Sequence, residues 1–295
     1  MNVKYSEIFH SFQGEAELAG KPSVWLRFFG CNLECNGFGQ TNPADENTWD
    51  LPYKNLDVDK FKSVEELPVF SKGCDSSYSW SSKYKHLCPS VSVKEVCDKL
   101  EEQLPTGKFA PTLSGQTDTQ LCFTGGEPML RQKQIIAILE ELDSRGNLPQ
   151  TVTIETNATK LLSNELKAYI EAYTCRDDNR WHWAMSPKIL HTSGEVDAVK
   201  PDVIGQYWDV EGNVSAILKF VCNGSKESWD EIEKALDDID TVIYSSEFPD
   251  VWIMPAGATK EAQEDVVSIV QETMRRGYQV ATRNHAYVFG NQIGT

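Results

Sequence analysis

Residues 120–128 (QLCFTGGEP) carry a short apolar run straight into a pair of glycines and a Glu-Pro step. The run over residues 120–123 reads as a strand. Beyond the turn, Ile135, Ile138, Leu139 and Leu142 recur at the spacing of one helical face, and Gly146 ends that helix. This strand–turn–helix unit repeats along the chain. Upstream, residues 22–29 (PSVWLRFF) form a strand ending at Gly30, and residues 92–104 form a helix through Val93, Val96, Cys97 and Leu100. Downstream, strands at 151–155, 181–185, 215–222 and 251–254 alternate with helices at 160–173 and 227–239. A further helix carries Ala262, Val266, Ile269, Val270 and Thr273 in register, and residues 279–282 add a last strand. Such alternation predicts right-handed βαβ units and a mostly parallel sheet. The fold class is α/β, a partial (β/α)6 barrel, because eight units are needed to close one.

Composition fits this picture. The 295 residues are 40% hydrophobic and 24% charged, as in an ordinary globular protein, and are read as one domain over 1–295. Residues 36–90 differ in kind: they are rich in Asn, Asp, Ser, Lys and Pro with scattered aromatics, and read as a long inserted loop region with a short helix near residues 64–67. No apolar run approaches the roughly 20 residues of a membrane helix, and the start lacks the pattern of a signal peptide. The expectation is a cytoplasmic protein with no membrane partner. A net charge of −16 disfavours direct nucleic-acid binding, which needs clustered Lys and Arg. Eight cysteines in a reducing compartment are not a disulfide framework. Cys97, Cys122 and Cys222 sit in apolar patterns and read as core, as does Cys175 near a helix end. Cys31, Cys35, Cys74 and Cys88 remain.

In parallel α/β folds ligands gather at the carboxyl ends of the strands, and the unusual residues fall there. Cys31 follows the first strand, residues 124–128 the second, 155–157 the third, 186–188 the fourth and 255–257 the sixth. The pair Cys31–Cys35 supplies soft thiolate ligands for zinc or iron–sulfur, or is two unrelated cysteines. In the turn at 124–128, glycine N–H groups and Glu127 could hold a carboxylate and an ammonium; equally, it could be a plain strand-to-helix turn with Pro128 at the first helical position. Arg27, inside an apolar strand, could pair bidentately with a carboxylate or form a surface ion pair.

Together these motifs resemble the radical S-adenosylmethionine superfamily, in which three cysteines hold a 4Fe–4S cluster and leave one iron for the cofactor's methionine. Within it the chain resembles 7-carboxy-7-deazaguanine synthase. The likeness runs through Glu7-Ile8-Phe9, residues 11–15 (SFQGE), residues 20–23 (GKPS), Arg27, residues 124–128, residues 154–157 (IETN), Ser186-Pro187-Lys188 and Asn284-His285. The family spacing C-x3-C-x2-C would put the third ligand at Phe38. Instead, residues 73–80 (GCDSSYSW) resemble the surroundings of that cysteine, so 38 residues (36–73) separate the second and third ligands where the family has two, and Cys74, not Cys88, completes the set. Loop-closure entropy grows only logarithmically, so such an insertion is tolerable.

The resemblance implies a lyase that turns 6-carboxy-5,6,7,8-tetrahydropterin into 7-carboxy-7-deazaguanine, a ring contraction losing ammonia. The resemblance places such a product in 7-deazapurine biosynthesis, as for queuosine or another deazapurine nucleic-acid modification, without choosing between tRNA and DNA. Implied cofactors are the 4Fe–4S cluster on Cys31, Cys35 and Cys74, S-adenosylmethionine, and Mg2+ on Ser76. Phe12, Gln13, Gly14, Glu15, Arg27, Thr124, His285 and Thr295 are the implied pterin contacts, with Glu15 as acceptor for its guanidine-like edge. His285 is alternatively a solvated tail histidine. Asp75, Gly125, Gly126, Glu127, Glu155, Ser186, Pro187, Lys188, Met254, Pro255, Ala256 and Gly257 are the implied cofactor contacts. An electron donor such as flavodoxin or ferredoxin and a homodimer are the implied partners. Three positions depart from the family: Ser76 replaces a common Thr, Met254 a polar residue, and Ala286 a Lys. Two other readings compete. One is a glycyl-radical activase; the other is a zinc-binding module with His86 or Cys88 as fourth ligand.

Overall fold

The computed structural model describes residues 1–295 apart from Asp177, Ser245, Ser246 and Asp265. Its strands in chain order are β1 (Asn2–Phe12), β2 (Pro22–Phe28), β3 (Ser90–Ser92), β4 (Gln120–Gly125), β5 (Thr151–Thr156), β6 (Arg180–Met185), β7 (Val214–Cys222), β8 (Asp250–Pro255) and β9 (Gln279–Val280). Among the described residues they form one sheet in the order β3-β1-β2-β4-β5-β6-β7-β8-β9. From β2 onward all pairings are parallel; β1 runs antiparallel to both neighbours. The six strands expected in the βαβ units are β2 and β4–β8, the expected last strand is β9, and the sheet stays open.

The helices are α1 (Pro52–Asn55), α2 (Val93–Gln103), α3 (Gln132–Ser144), α4 (Asn164–Thr174), α5 (Leu190–Ser193), α6 (Pro201–Trp208), α7 (Lys226–Asp240), α8 (Val267–Arg275) and α9 (Asn284–Phe289). Serine caps start three of them: Ser92, Ser163 and Ser225 each accept from the backbone N–H three residues on. The amphipathic faces of α2, α3, α4 and α7 pack on one side of the sheet. There Leu121, Phe123, Trp181 and Trp183 meet Ile135, Ile138, Leu142 and Ile232 in the main core. Trp183 stacks on Tyr207 of α6 at 4.5 Å between ring centres. Each such large side chain removed from water contributes about 1.5–3 kcal/mol. The opposite face of the strands carries Arg27, Thr124, Glu155 and Lys219, and lines the cavities described below.

Four expectations are corrected. The helix expected from residue 262 onward begins only at Val267, after a 3-10 turn (Glu261–Gln263) held when the Gln263 side-chain amide donates to the Pro255 and Gly257 carbonyls. The short helix near residues 64–67 is a 3-10 turn, Val64–Glu66. Cys175 is exposed, because it caps the solvent end of α4 instead of joining the core. Finally, β1 and β3 were not expected. A bulge between Tyr5 and Glu7 breaks the two-residue alternation of β1.

The inserted region has a core of its own. Tyr53, Val64, Leu67, Phe70, Tyr78, Tyr84 and Cys88 cluster with Phe29 from the end of β2. The Tyr84 hydroxyl donates to the Tyr53 carbonyl at 2.8 Å, and the Tyr53 hydroxyl to Asn36 at 2.9 Å. The insertion also closes at its base, where Gly73 N donates to the Phe38 carbonyl at 2.7 Å.

Candidate active site

That closure decides where the third cysteine lies. Phe38 occupies the place where a C-x3-C-x2-C pattern would put its last ligand, and the Gly73–Phe38 hydrogen bond sets Cys74 beside it. A loop tied at its neck costs the site little, because its ends meet independently of what lies between. Cys31, Cys35 and Cys74 line one cavity of about 250 Å³. Cys88 lies outside it, with its thiol buried in the insertion's core and directed to the Tyr84 and Tyr78 carbonyls. His86 is exposed and also off the wall.

The loop carrying the first two thiols is held from across the sheet. The Glu34 and Cys35 N–H groups donate to one carboxylate oxygen of Glu195, at 2.8 and 2.6 Å, and Gly37 N donates to Ser193 O at 2.9 Å. Cys35 adopts φ +50°, a conformation that persists only where the surroundings over-determine it.

Burial raises the pKa of all three thiols, that of Cys31 to about 12, and the Cys31 and Cys35 thiols are each raised further by the proximity of Cys74. Ligand binding would therefore displace protons from a clustered thiol set. Among the described residues no three His, Cys, Asp or Glu side chains converge on the position of a single ion. A 4Fe–4S cluster takes each thiolate on a different iron, and these three thiols share one cavity wall. The three thiols fit that group.

The Gly-Gly turn corrects the sequence reading. Gly125 and Gly126 line the cavity, but the Gly126 and Glu127 N–H groups donate inward, to the Phe28 and Gly30 carbonyls at 3.3 and 2.8 Å. They are not free to hold a carboxylate. A Cβ on Gly126 would meet Gly30 O at 2.4 Å and Cys31 Cβ at 2.8 Å, so the glycine is required by its packing on the cysteine loop. Glu127 lies behind the wall, fully buried. It accepts from Met129 N, Thr156 Oγ1 and Asn157 N at 2.9, 2.7 and 2.8 Å, contacts internal to the protein where an ammonium was expected. Its work is to seat Asn157, whose amide reaches Cys31 Sγ at 3.9 Å. Pro187 is also off the wall, whereas Ser186 and Lys188 are on it, with Asp75, Ser76, Glu155 and the turn Met254, Pro255, Ala256 and Gly257.

A second cavity of about 180 Å³ adjoins the first, and Glu15, Arg27, Asp75, Ser76, Thr124, Glu155 and Arg283 belong to both walls. Phe12, Gln13, Gly14, His285 and Thr295 line the second cavity only. Gly14 is tightly seated, since a Cβ there would fall 2.1 Å from His285 Nδ1. Burial lowers the pKa of His285 and favours its neutral form.

Two residues that sequence reading missed tie this junction together. Lys219, 3% exposed on β7, bridges Glu15 and Glu155 at 2.6 and 2.9 Å. Arg283 bridges Glu15 and Asp75 at 3.2 and 2.9 Å. Burial alone would raise the Glu15 carboxyl; Lys219 and Arg283 overcome it and hold the group well below the usual range. The sequence signal for Lys219 was a lone cation inside the apolar run of residues 215–222; Arg283 gave none beyond its place before Asn284-His285.

No protein-family model matches the chain. Curated relatives do. The 7-carboxy-7-deazaguanine synthase of Halobacterium salinarum is 25% identical, covering 97% of this chain and 90% of the relative. That of Rhodopirellula baltica is 27% identical over 98% and 88%, and that of Pyrobaculum aerophilum 24% identical over 99% and 97%. Among solved structures, QueE from Escherichia coli matches with a TM-score of 0.51 at 16% identity, covering 97% of this chain and 95% of that one, a likeness of fold.

Proposed function

We propose that this chain is a 7-carboxy-7-deazaguanine synthase, a radical S-adenosylmethionine lyase that contracts the ring of 6-carboxy-5,6,7,8-tetrahydropterin with loss of ammonia. The observation that carries the reading is the joining of a three-thiol cavity to a second cavity walled by Arg27, Gln13, Glu15, Thr124, His285 and Thr295. When bound, the cluster and S-adenosylmethionine would supply the one-electron chemistry of hydrogen-atom abstraction.

The chain's own residues do the rest. Cys31, Cys35 and Cys74 would hold the cluster. Ser186, Lys188, Glu155 and the Met254–Gly257 turn receive the nucleoside cofactor. Arg27 receives the pterin carboxylate, an anion that a guanidinium binds with two parallel N–H groups. Glu15 is kept ionised by Lys219 and Arg283, so its remaining lone pairs accept from the pterin's N–H edge. Ser76 stands on both walls and would hold Mg2+ through its hydroxyl, and Asp75 beside it would contact the cofactor. A flavodoxin- or ferredoxin-type donor, a second copy of the chain and a cytoplasmic setting complete the proposal. Among the described residues no helix is long and apolar enough to cross a membrane.

The test is anaerobic reconstitution followed by incubation with the carboxytetrahydropterin, S-adenosylmethionine, Mg2+ and a reductant. The expected result is 7-carboxy-7-deazaguanine, identified by mass. Cofactor cleavage without that product points to a different radical enzyme. About one zinc per chain, with no brown chromophore, eliminates the radical chemistry.

A further inference from the structure

Glu7 faces Arg27 across the β1–β2 register because of the bulge between Tyr5 and Glu7. Val3 and Tyr5 point into the main core, and unbroken alternation would keep Glu7 with them. The extra residue turns Glu7 and Phe9 to the cavity and gives Ile8 to the core side. Bulges re-aim side chains in this way, and they are enriched beside active sites.

The result is a clamp. Glu7 Oε1 accepts from Arg27 Nε and, at 2.8 Å, from the Tyr78 hydroxyl. The Tyr78 ring lies beneath the guanidinium, 6.0 Å from ring centre to Arg27 Cζ. Glu7 is 2% exposed, and its Oε2 has no hydrogen-bond partner among the described residues. A buried carboxylate half-satisfied in this way is costly, and its evident return is the orientation of Arg27. With Nε tied down, the two terminal nitrogens of Arg27 donate to no group among the described residues, and Arg27 stands on both cavity walls. Tyr78 lies four residues after Cys74, so the segment that brings in the third thiol also seats the arginine.

We infer that Glu7 and Tyr78 are positioning residues that hold the Arg27 guanidinium with its paired terminal N–H groups aimed at the carboxylate of the substrate. The inference rests on the functional reading above and deepens it, by assigning the selection of a carboxylated over an uncarboxylated pterin to this clamp.

The experiment titrates cluster-reconstituted protein, with S-adenosylmethionine present, against 6-carboxypterin and against unsubstituted pterin by fluorescence. Iron content and circular dichroism check each variant. Glu7→Gln is expected to weaken 6-carboxypterin about tenfold to a hundredfold, the range for misplacing a binding group through its support. Tyr78→Phe, which removes one hydroxyl, is expected to cost about fivefold. Pterin affinity should hold within about twofold in both, and in turnover the loss should fall on KM and spare kcat. Equal loss for both ligands would make the clamp merely structural and overturn the inference. So would a wild type that selects the carboxylated ligand beside two variants that select it equally well. A wild type that binds neither ligand overturns the functional reading, and this inference with it. Should Glu7→Gln fail to fold, the hydroxyl deletion alone decides the matter.

Discussion

Cys74 and Cys88 lie in the same loop-rich stretch, residues 36–90, yet their surroundings assign them opposite duties. The Cys74 thiol stands on the cavity wall with Cys31 and Cys35, while Cys88 fills a place among Tyr78, Tyr84 and Phe70. Cys74→Ala is therefore expected to abolish cluster assembly, read as loss of bound iron and of the brown chromophore. Cys88→Ala should keep both and cost about 1 kcal/mol of stability, a small cavity in a minor core. The reverse pattern of iron binding would show that the wrong cysteine carries the ligand role. The sequence distinguished the two only through the residues around Cys74. The physical reason for the choice is the hydrogen bond between Gly73 and Phe38, a pairing across the whole insertion that no local pattern announces.

At the scale of elements, legibility followed periodicity. The strands β4–β8 were readable as short apolar runs, since most are buried on both faces, and helices α3, α4 and α7 because each buries one regular stripe. Strand β1 was not, because the bulge shifts its buried set from Val3 and Tyr5 to Ile8 and so erases the alternation. The turn after β4 was recognised, but its glycines were given to a ligand when their first duty is to the neighbouring loop. Gly126→Ala measures that duty. A methyl group 2.4 Å from Gly30 O and 2.8 Å from Cys31 Cβ, both on backbone or near it, cannot be absorbed by a flexible side chain. Overpacking of this kind costs about 1–3 kcal/mol, and the strain falls on the cysteine loop. The expected outcome is a folded protein by circular dichroism with sharply reduced iron incorporation. Full iron incorporation would mean the loop adjusts freely and the glycine is there for the ligand alone.

Across the whole molecule, one charge network binds parts of the chain that are far apart in sequence. Glu15 follows β1, Asp75 follows the insertion, Glu155 lies on β5, Lys219 on β7 and Arg283 after β9. None of these pairings could be read from spacing, since each depends on the order of strands in the sheet; Lys219 looked like an interruption of an apolar strand, and only the folded sheet supplies its two carboxylates. Such a network makes stability depend on pH in a calculable sense. The Glu15 carboxyl is depressed in the folded protein, so its contribution is fully present above the unfolded value of about 4.3 and is lost as pH falls toward the folded one. Lys219→Met leaves Glu15 and Glu155 facing each other in a buried site, and removing one partner of a buried ion pair costs about 3–5 kcal/mol. That deficit, read from denaturant midpoints of variant and parent, should be largest near neutral pH. It should shrink below about pH 4, where the parent loses the same interaction by protonation. A deficit that stays constant from neutral to acid pH would mean that Lys219 acts through its packed alkyl chain, and the charge network would then not be what joins the two ends of the chain.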